Sequence, residues 1–423
     1  MGRNLSDCPI TTYEDYRSVI ESSASINALT AENVTFWGVS TGTTGPQKRF
    51  PLSKSYLKAY ETAAKTFLMN LLSRKPSMLS GKVASFVVPM NGEIHGSTGV
   101  MHIGQAIYQS MPAISGLFYA IPKHVYADEN LYNKQHVFQL LKSDISLITA
   151  SVPSSVLALK TNIALYLEKQ LEQLKGTKRY QLLKQIDPAD FTLCDIWPNL
   201  NLVLAWQTSI CKASSAELKK VAGEAQVVNQ AYAATEGFFN IYVEDDKPVL
   251  YPIDFIYEFI KPEQPETILK PWDIQESEEY EILITSPMGF VRYRIGDIIK
   301  CTGFYNKLPM IEFVRKTRNQ VSLGWVTIDE SEIIDVLLKL GINDFDLVSV
   351  RINNSGQGLV ITLHQRFATQ IESFDRRLAE INRDFAREQQ EGRIDPSRVV
   401  IQNNIPRPAK HAQTKDQVLI VAT

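Results

Sequence analysis

The chain has 423 residues, of which 44 are basic, 46 are acidic and 44% are apolar. At about 150 residues per domain, this length predicts two or three domains with a large buried core. The net charge of −2 excludes the strongly basic proteins that bind nucleic acid or anionic membranes through clustered Lys and Arg, so no nucleic-acid partner is expected.

The four cysteines are scattered without a Cys-x-x-Cys pair, which argues against a zinc module and against a disulfide scaffold. No apolar run reaches the roughly 20 residues that a membrane-spanning helix needs. Asp7 and Pro9 precede any apolar core of a secretory signal. We therefore expect no membrane span and a reducing, cytoplasmic location.

Through the first three quarters of the chain, apolar runs typical of strands alternate with helical patterns. Strands are predicted at residues 34–39, 83–88, 147–150 and 202–206, with helices at 53–72 and 154–174 between them. Runs at 255–260 and 280–285 indicate a more β-rich section. The pattern predicts a large α/β domain, residues 1–314, with mixed sheets and flanking helices.

After Phe313 the pattern changes at a charged stretch, residues 315–319, which we interpret as a hinge. The remaining residues, 320–423, predict a small α+β domain. It contains a helix at 331–340 with Asp329 as N-cap, and strands at 347–352, 359–363 and 399–401. A spacing of three and four residues also predicts one helical stripe, formed by Ile371, Phe374, Leu378, Ile381 and Phe385.

Residues 40–48 form a loop rich in glycine and hydroxyl groups between a predicted strand and a predicted helix. Backbone N–H groups exposed by glycines, together with hydroxyls and Lys48, suit phosphate oxygens. The loop lacks the spacing of a Walker motif. A polar connection without a ligand is the alternative interpretation.

Three further motifs are weak in isolation. Tyr232, Thr235 and Glu236 combine an aromatic ring, a hydroxyl and a carboxylate that could bind a base, a phosphate and Mg²⁺, although a turn after a strand explains them equally well. Asp297 follows a glycine turn and could accept two ribose hydroxyls or only hold the turn. Lys415 lies in a polar tail whose composition alone indicates a solvated segment.

The order of these motifs resembles the adenylate-forming superfamily of acyl-activating enzymes, and the resemblance runs from about residue 35 to residue 415. Three stretches are similar to the Gretchen Hagen family of acyl acid amido synthetases in particular. They are residues 196–199 (IWPN), residues 278–285 (EEYEILIT) leading into 289–297 (GFVRYRIGD), and residues 299–313. The resemblance implies a large adenylation domain with the ATP and acyl-acid sites and a small mobile lid domain.

The resemblance also implies roles for individual residues. The residues it assigns to ATP are Ser40, Thr41, Gly42, Thr43, Thr44, Lys48, Gln207, Thr208, Tyr232, Asp297 and Arg315. Among these, Tyr232 would lie against adenine, and Asp297 would accept the ribose hydroxyls with Arg315 nearby.

The catalytic residues implied are Thr235 near the α-phosphate, Glu236 as the Mg²⁺ ligand and Lys415 as the mobile lysine of the lid. His95 and Gly96 lie where the acyl site should begin, although His95 could equally satisfy a buried neighbour. The cofactors implied are ATP and Mg²⁺.

The activity implied is activation of a carboxylic acid as acyl adenylate, followed by transfer to an amine, an amino acid, to give an amide and AMP. An acyl-CoA ligase of the phenylacetate type shares the first half-reaction and is an alternative. A nucleotide-binding homologue without catalysis is another, which the presence of Lys48, Glu236, Asp297 and Lys415 disfavours.

Overall fold

A computed structural model describes residues 4–22, 29–30, 32–39, 48–86, 100–101, 103–208, 211–317, 320–323, 326–353, 355, 357–403 and 405. Up to residue 229, helices alternate with short strands. The helices are α1 (Tyr13–Glu21), α2 (Lys54–Arg74), α3 (Ile103–Ser110), α4 (Lys123–Tyr126), α5 (Glu129–Lys142), α6 (Pro153–Leu174), α7 (Lys178–Leu183), α8 (Leu193–Ile196) and α9 (Lys212–Ala222). The strands are β1 (Val34–Val39), β2 (Arg49–Ser53), β3 (Lys82–Phe86), β4 (Val100–Met101), β5 (Ile145–Ala150), β6 (Leu202–Ala205) and β7 (Gln226–Asn229).

The middle of the chain is made of strands, and the last part mixes strands with helices. The middle strands are β8 (Ala233–Ala234), β9 (Gly237–Phe238), β10 (Asn240–Tyr242), β11 (Pro248–Leu250), β12 (Ile256–Lys261), β13 (Gln264–Leu269), β14 (Glu279–Thr285), β15 (Tyr293–Tyr305) and β16 (Leu308–Lys316). The last elements are β17 (Gln320–Leu323), β18 (Val326–Asp329), α10 (Glu330–Lys339), β19 (Val348–Ile352), β20 (Leu359–Leu363), α11 (Phe374–Ile381), α12 (Arg383–Gln390) and β21 (Arg398–Ile401). No helix within the described ranges has the length and apolar character to cross a membrane.

A four-stranded parallel sheet, in the order β3-β5-β6-β7, forms the centre of the first part. Its apolar residues are buried on both faces, as in sheets covered on both sides. Leu147 and Leu204 join a core shared with α2, whereas Ile148 and Val203 join a second core shared with α5, α6 and α9. The strands predicted at 147–150 and 202–206 are confirmed.

The β-rich section is a seven-stranded antiparallel sheet in the order β10-β11-β16-β15-β14-β12-β13. The strands predicted at 255–260 and 280–285 correspond to β12 and β14. Phe259 and Ile282 of this sheet and Tyr56 of α2 share the first core. Arg315 and Lys316, the first residues of the predicted hinge, are the last residues of β16.

A smaller sheet, in the order β2-β1-β4, leads into α2. The predicted strand at 34–39 is β1, and the helix predicted from residue 53 begins at Lys54. Ser53 caps this helix, because its hydroxyl accepts a hydrogen bond from the backbone N–H of Tyr56 at 3.3 Å. The loop at residues 40–47 lies outside the described residues.

A third core lies in the last part of the chain, between the β19-β20-β21 sheet, the β17–β18 hairpin and the helices. Asp329 precedes α10 as predicted, and its backbone N–H donates to the Glu332 carboxylate at 2.9 Å, half of a capping box. Val152 and Cys211, from the first part, are buried in this third core. Trp206 packs against both the first and the third core.

The single helix predicted from the stripe at residues 371–385 is wrong. The structure has a short 3₁₀ turn at Ile371–Ser373 followed by two helices, α11 and α12, that meet at Asn382. The Asn382 side chain accepts from the backbone N–H of Phe385 at 2.9 Å and so starts a new helix. The apolar spacing continues across the break because Phe374, Leu378 and Phe385 are all buried in the same core.

Candidate active site

The described residues of the predicted site come from five places in the fold. Gln207 and Thr208 follow β6, Tyr232 precedes the short β8–β9 hairpin, and Thr235 and Glu236 form the loop of that hairpin. Asp297 lies in β15 and Arg315 in β16, while Lys48 directly precedes β2. The other predicted residues lie outside the described part of the chain: Ser40, Thr41, Gly42, Thr43, Thr44, His95, Gly96 and Lys415.

Asp297 is buried with both carboxylate oxygens engaged. The Tyr232 hydroxyl donates to Oδ2 at 2.5 Å, and Lys316 forms an ion pair with Oδ1. Lys316 reaches this position because antiparallel pairing of β15 with β16 sets it opposite Asp297. Gly296, which precedes Asp297 inside β15, has φ +78°, a left-handed conformation that a side chain would strain.

Glu236 is 7% exposed and forms no ion pair with a described side chain. Burial raises the pKa of its carboxyl, while the ammonium groups of Lys316 and Lys48 oppose this and Asp297 adds to it. The backbone around Glu236 is fixed, because the buried hydroxyl of Tyr56 donates to the Thr235 carbonyl at 2.6 Å. This arrangement fits Mg²⁺, since a buried carboxylate with only distant compensation gains most from a bound cation.

Among the residues that the structure describes, no group of three or more His, Cys, Asp or Glu side chains could hold a metal ion. Among the described side chains, a cation at Glu236 would therefore find at most one further ligand of this kind. Mg²⁺ commonly binds through one or two carboxylates together with substrate phosphates and water.

Tyr232 lies in an aromatic cluster. Its ring stacks on Phe239 with centroids 4.3 Å apart, and Phe313 lies 5.6 Å away. The Trp206 ring is parallel to that of Tyr232, with a centroid distance of 6.5 Å and an angle of 4°. Only 4% of Tyr232 is exposed, so its strongest contacts in this structure are with the core and with Asp297.

Gln207 and Thr208 lie at the carboxyl end of β6, where parallel sheets usually bind ligands. The Gln207 backbone N–H donates to the Asn229 side chain at 3.0 Å, and Asn229 donates to the Tyr242 hydroxyl at 2.6 Å. The buried Thr208 hydroxyl has no hydrogen-bond partner within the described part of the chain.

Arg315 forms ion pairs with two carboxylates other than that of Asp297. Its Nε lies 2.8 Å from Asp329, and its guanidinium also pairs with Glu279. Successive residues of a strand point to opposite faces, so Lys316 at the next position takes the place beside Asp297.

Lys48 lies between two tyrosines. Its Nζ is 3.1 Å from the Tyr293 hydroxyl and 5.3 Å from the centroid of the Tyr13 ring. Sequence reasoning did not identify Tyr13, Tyr293, Lys316 or Trp206 as site residues. The only signal for Tyr293 and Lys316 was their position beside assigned motifs, since their contacts depend on strand pairing.

Two family models match the chain. The GH3 family N-terminal domain matches residues 6–227 and the GH3 family central domain matches residues 249–316. Over 206 residues the chain is 28% identical to indole-3-acetic acid-amido synthetase GH3.3 of Arabidopsis thaliana, covering 46% of this chain and 34% of that protein. Over 143 residues it is 27% identical to jasmonoyl-L-amino acid synthetase JAR6 of Nicotiana attenuata, covering 31% of this chain and 25% of that protein.

Solved structures share the fold. The AtGH3.15 acyl acid amido synthetase in complex with 2,4-DB superposes with a TM-score of 0.78 at 18% identity, covering 93% of this chain and 79% of that one. A 2-hydroxyisobutyryl-CoA ligase with 2-HIB-AMP gives a TM-score of 0.56 at 10% identity, covering 98% of this chain and 80% of that one. These structures confirm the predicted fold class, a large α/β part followed by a smaller α+β part.

The aligned segments span only about a third or less of the length of these curated relatives. The match to the family N-terminal domain alone nonetheless extends over more than half of the 423 residues. The chain therefore belongs to the GH3 family, as its motifs predicted.

Proposed function

We propose that the protein uses ATP to activate a carboxylic acid as its acyl adenylate and then transfers the acyl group to an amino acid, giving an amide and AMP. The observation that carries this proposal is that the ammonium groups of Lys48 and Lys316 act on the buried carboxyl of Glu236, while Lys316 also pairs with the buried Asp297. Membership of the GH3 family supports it, because relatives in that family are named amido synthetases.

In the first half-reaction, an oxygen of the carboxylic acid attacks the α-phosphorus of ATP, and pyrophosphate leaves. Lys48 and the loop 40–44 hold the phosphate oxygens, which reduces the repulsion between two anions that must approach in line. Asp297 orients the nucleotide by accepting hydrogen bonds from the ribose hydroxyls. To do so, its carboxylate gives up its contact with Tyr232 or with Lys316. Mg²⁺ held by Glu236 would neutralise charge on the phosphates.

In the second half-reaction, the amine attacks the carbonyl carbon of the acyl adenylate and AMP leaves. We propose that residues 320–423 act as a lid over a site formed by residues 1–314, with residues 315–319 as the hinge. Closure brings Lys415 to the α-phosphate and excludes water, which protects the adenylate from hydrolysis. His95 and Gly96 are proposed to border the acyl group.

A cytoplasmic location is part of the proposal. Its support is that all four cysteines, each of them within the described residues, are free thiols.

The proposal is tested by ATP–pyrophosphate exchange over a panel of aromatic, indole-type and fatty acids. We expect exchange with at least one acid, and an amide in the mass spectrum when amino acids are then added. A thioester formed from coenzyme A instead of an amide would favour the CoA ligase alternative. Absence of exchange with every acid would contradict adenylation and favour a nucleotide-binding protein without catalysis.

A further inference from the structure

Two tyrosines from distant parts of the chain enclose the ammonium group of Lys48. The Tyr293 hydroxyl is 3.1 Å from Lys48 Nζ, and the ring centroids of Tyr13 and Tyr293 lie 5.3 and 5.7 Å from it. These distances are in the range of cation–π attraction. Both tyrosines are buried, Tyr293 completely. We call this pair the lysine seat.

Tyr13 fixes the backbone beside the lysine. Its hydroxyl donates to the Arg49 carbonyl at 3.1 Å and accepts from the Arg49 N–H at 2.8 Å. Arg49 directly follows Lys48 and begins β2. Because one hydroxyl holds both polar groups of that residue, the start of β2 cannot move without breaking contact with α1.

Tyr293 is fixed from the other side. The backbone of Thr11 pairs with the start of β15, since its N–H donates to the Arg292 carbonyl at 3.1 Å and its carbonyl accepts from the Arg294 N–H at 2.8 Å. Tyr293 also packs on Phe290 with ring centroids 4.9 Å apart. The strand that carries Tyr293 continues to Asp297. The lysine seat therefore attaches Lys48 to the same strand that bears the Asp297 carboxylate.

A free lysine side chain loses much rotational freedom when it binds a ligand. The lysine seat restricts that freedom before ATP arrives, so less is lost on binding. The charge of Lys48 is also felt at Glu236 in this arrangement. We propose that Tyr293 and Tyr13 are positioning residues that hold Lys48 for the phosphates of ATP, which makes the N-terminal segment at residues 11–13 part of the nucleotide site. This inference rests on the proposed function, because it assumes ATP as the ligand.

The first test is Tyr293→Phe, which removes the hydroxyl and keeps the ring. We expect the dissociation constant for ATP, measured by calorimetry without any acid, to rise about tenfold or more through loss of a hydrogen bond to a charged group. The KM for ATP in exchange should rise similarly, with the KM for the acid unchanged. Tyr108→Phe is the matched control, because it removes a buried hydroxyl that donates to the Ile121 carbonyl at 3.1 Å in the second core and should leave ATP affinity unchanged.

The second test asks whether Tyr293 acts through the lysine. In a Lys48→Met background, Tyr293→Phe should cause no further loss of ATP affinity, whereas a general structural effect would persist there. Tyr13→Phe, which frees the Arg49 backbone, is expected to weaken ATP binding in the same direction.

Wild-type affinity in Tyr293→Phe, or an equal loss in the Lys48→Met background, would overturn the inference. If the native protein binds no ATP, both this inference and the proposed function are wrong. If it binds ATP but exchanges with no acid, only the proposed activity is contradicted, and calorimetry still decides the role of the lysine seat.

Discussion

The two buried carboxylates of the site differ in how their charge is compensated. Asp297 has a tyrosine hydroxyl on one oxygen and an ammonium group on the other. Glu236 has the same ammonium group and that of Lys48 only as more distant charges. Because a buried carboxylate without close compensation destabilises a fold, the burial of Glu236 favours the proposed cation-binding role over a structural role in the hairpin.

We predict that Glu236→Gln lowers activity but not stability. The pKa of Glu236 is raised by burial in the folded state, so the ionised carboxyl opposes folding at pH values above that pKa, and the penalty disappears as pH falls through it. The amide carries no charge at any pH. Urea denaturation should therefore show the variant equal to or more stable than the wild type at pH 8, with a smaller difference at pH 5.

Pyrophosphate exchange by the same variant should fall about 100-fold or more, because phosphate charge is no longer neutralised. Glu172→Gln, at an exposed carboxylate, serves as control and should change neither quantity. A Glu236→Gln protein that loses stability at pH 8 and keeps its magnesium-dependent exchange would show that the residue is structural.

The order of the motifs along the chain predicted those site residues that belong to a recognisable local motif. Glu236 and Asp297 were identified because each follows its motif neighbours along the chain. Lys316 was read only as part of a hinge, and its contact with Asp297 comes from pairing between β15 and β16. Tyr293 was missed for the same reason, since its partner Lys48 is 245 positions away.

At the scale of elements, the break at Asn382 shows what apolar spacing cannot predict. Residues spaced by three and four lie on one face whether they belong to one helix or to two that share a core. The residue that decides the break is the polar Asn382, and it does so because its side chain accepts a hydrogen bond from the backbone of the following turn. Asn is also a common N-cap residue, and this was the available signal.

We predict that Asn382→Ala destabilises the last part of the chain. It removes the cap of α12 and a contact with Glu332, for which Asn382 Nδ2 is the donor at 3.1 Å. Loss of a cap costs about 1–2 kcal/mol in free energy of unfolding, which urea denaturation can measure. Arg383→Ala, at the next and exposed position, should change stability by no more than about 0.5 kcal/mol. Equal effects of the two substitutions would argue against a capping role.

Helix α5 provides a prediction for pH. His136 stacks on Tyr132 at 4.9 Å, and burial lowers its pKa despite a hydrogen bond to the Tyr132 carbonyl. As pH is lowered, His136 therefore takes up a proton in the unfolded chain near its ordinary pKa of about 6.5. In the folded protein it does so only at a lower pH. The free energy of unfolding should consequently fall as pH is lowered from 7.5 through about 6.5.

The contribution of His136 is measured as the difference between two pH profiles. Chemical denaturation of His136→Phe should show a weaker decline between pH 7.5 and 5 than the wild type. The exposed His124, changed to Asn, is the matched control and should leave the decline unaltered. Parallel profiles for wild type and His136→Phe would contradict the assignment.

For the whole molecule, the sequence predicted the structural class of each part better than the strand pairing and packing that join the parts. Buried strands between helices indicated the parallel sheet, because a strand covered on both faces is apolar throughout. The order of the seven-stranded sheet was not predictable, since pairing between strands such as β11 and β16 depends on contacts far apart in the chain. The packing of Val152 and Cys211 into the third core is non-local in the same way.

Among the described residues, ion pairs and apolar packing by Val152, Cys211 and Trp206 join the last part of the chain to the rest, which bears on the proposed lid. Arg315 joins Glu279 of β14 to Asp329 of β18, and Trp206 touches both cores. Ion pairs at such a junction can be exchanged for others when one part of a protein moves against another. If this part carries Lys415 into the site only after ATP has bound, then Lys415 contributes to the chemical step and not to nucleotide affinity.

Lys415→Ala is therefore expected to slow pyrophosphate exchange by about 100-fold or more, while the dissociation constant of ATP measured by calorimetry stays nearly unchanged. Lys410→Ala removes a charge from the same tail and is the matched control, because a general electrostatic effect of the tail would appear in both variants. A Lys415→Ala protein with full exchange, or one that matches Lys410→Ala, would place the catalytic cation elsewhere. Lys48 and Lys316 would then be the next lysines to test, since both already act on Glu236.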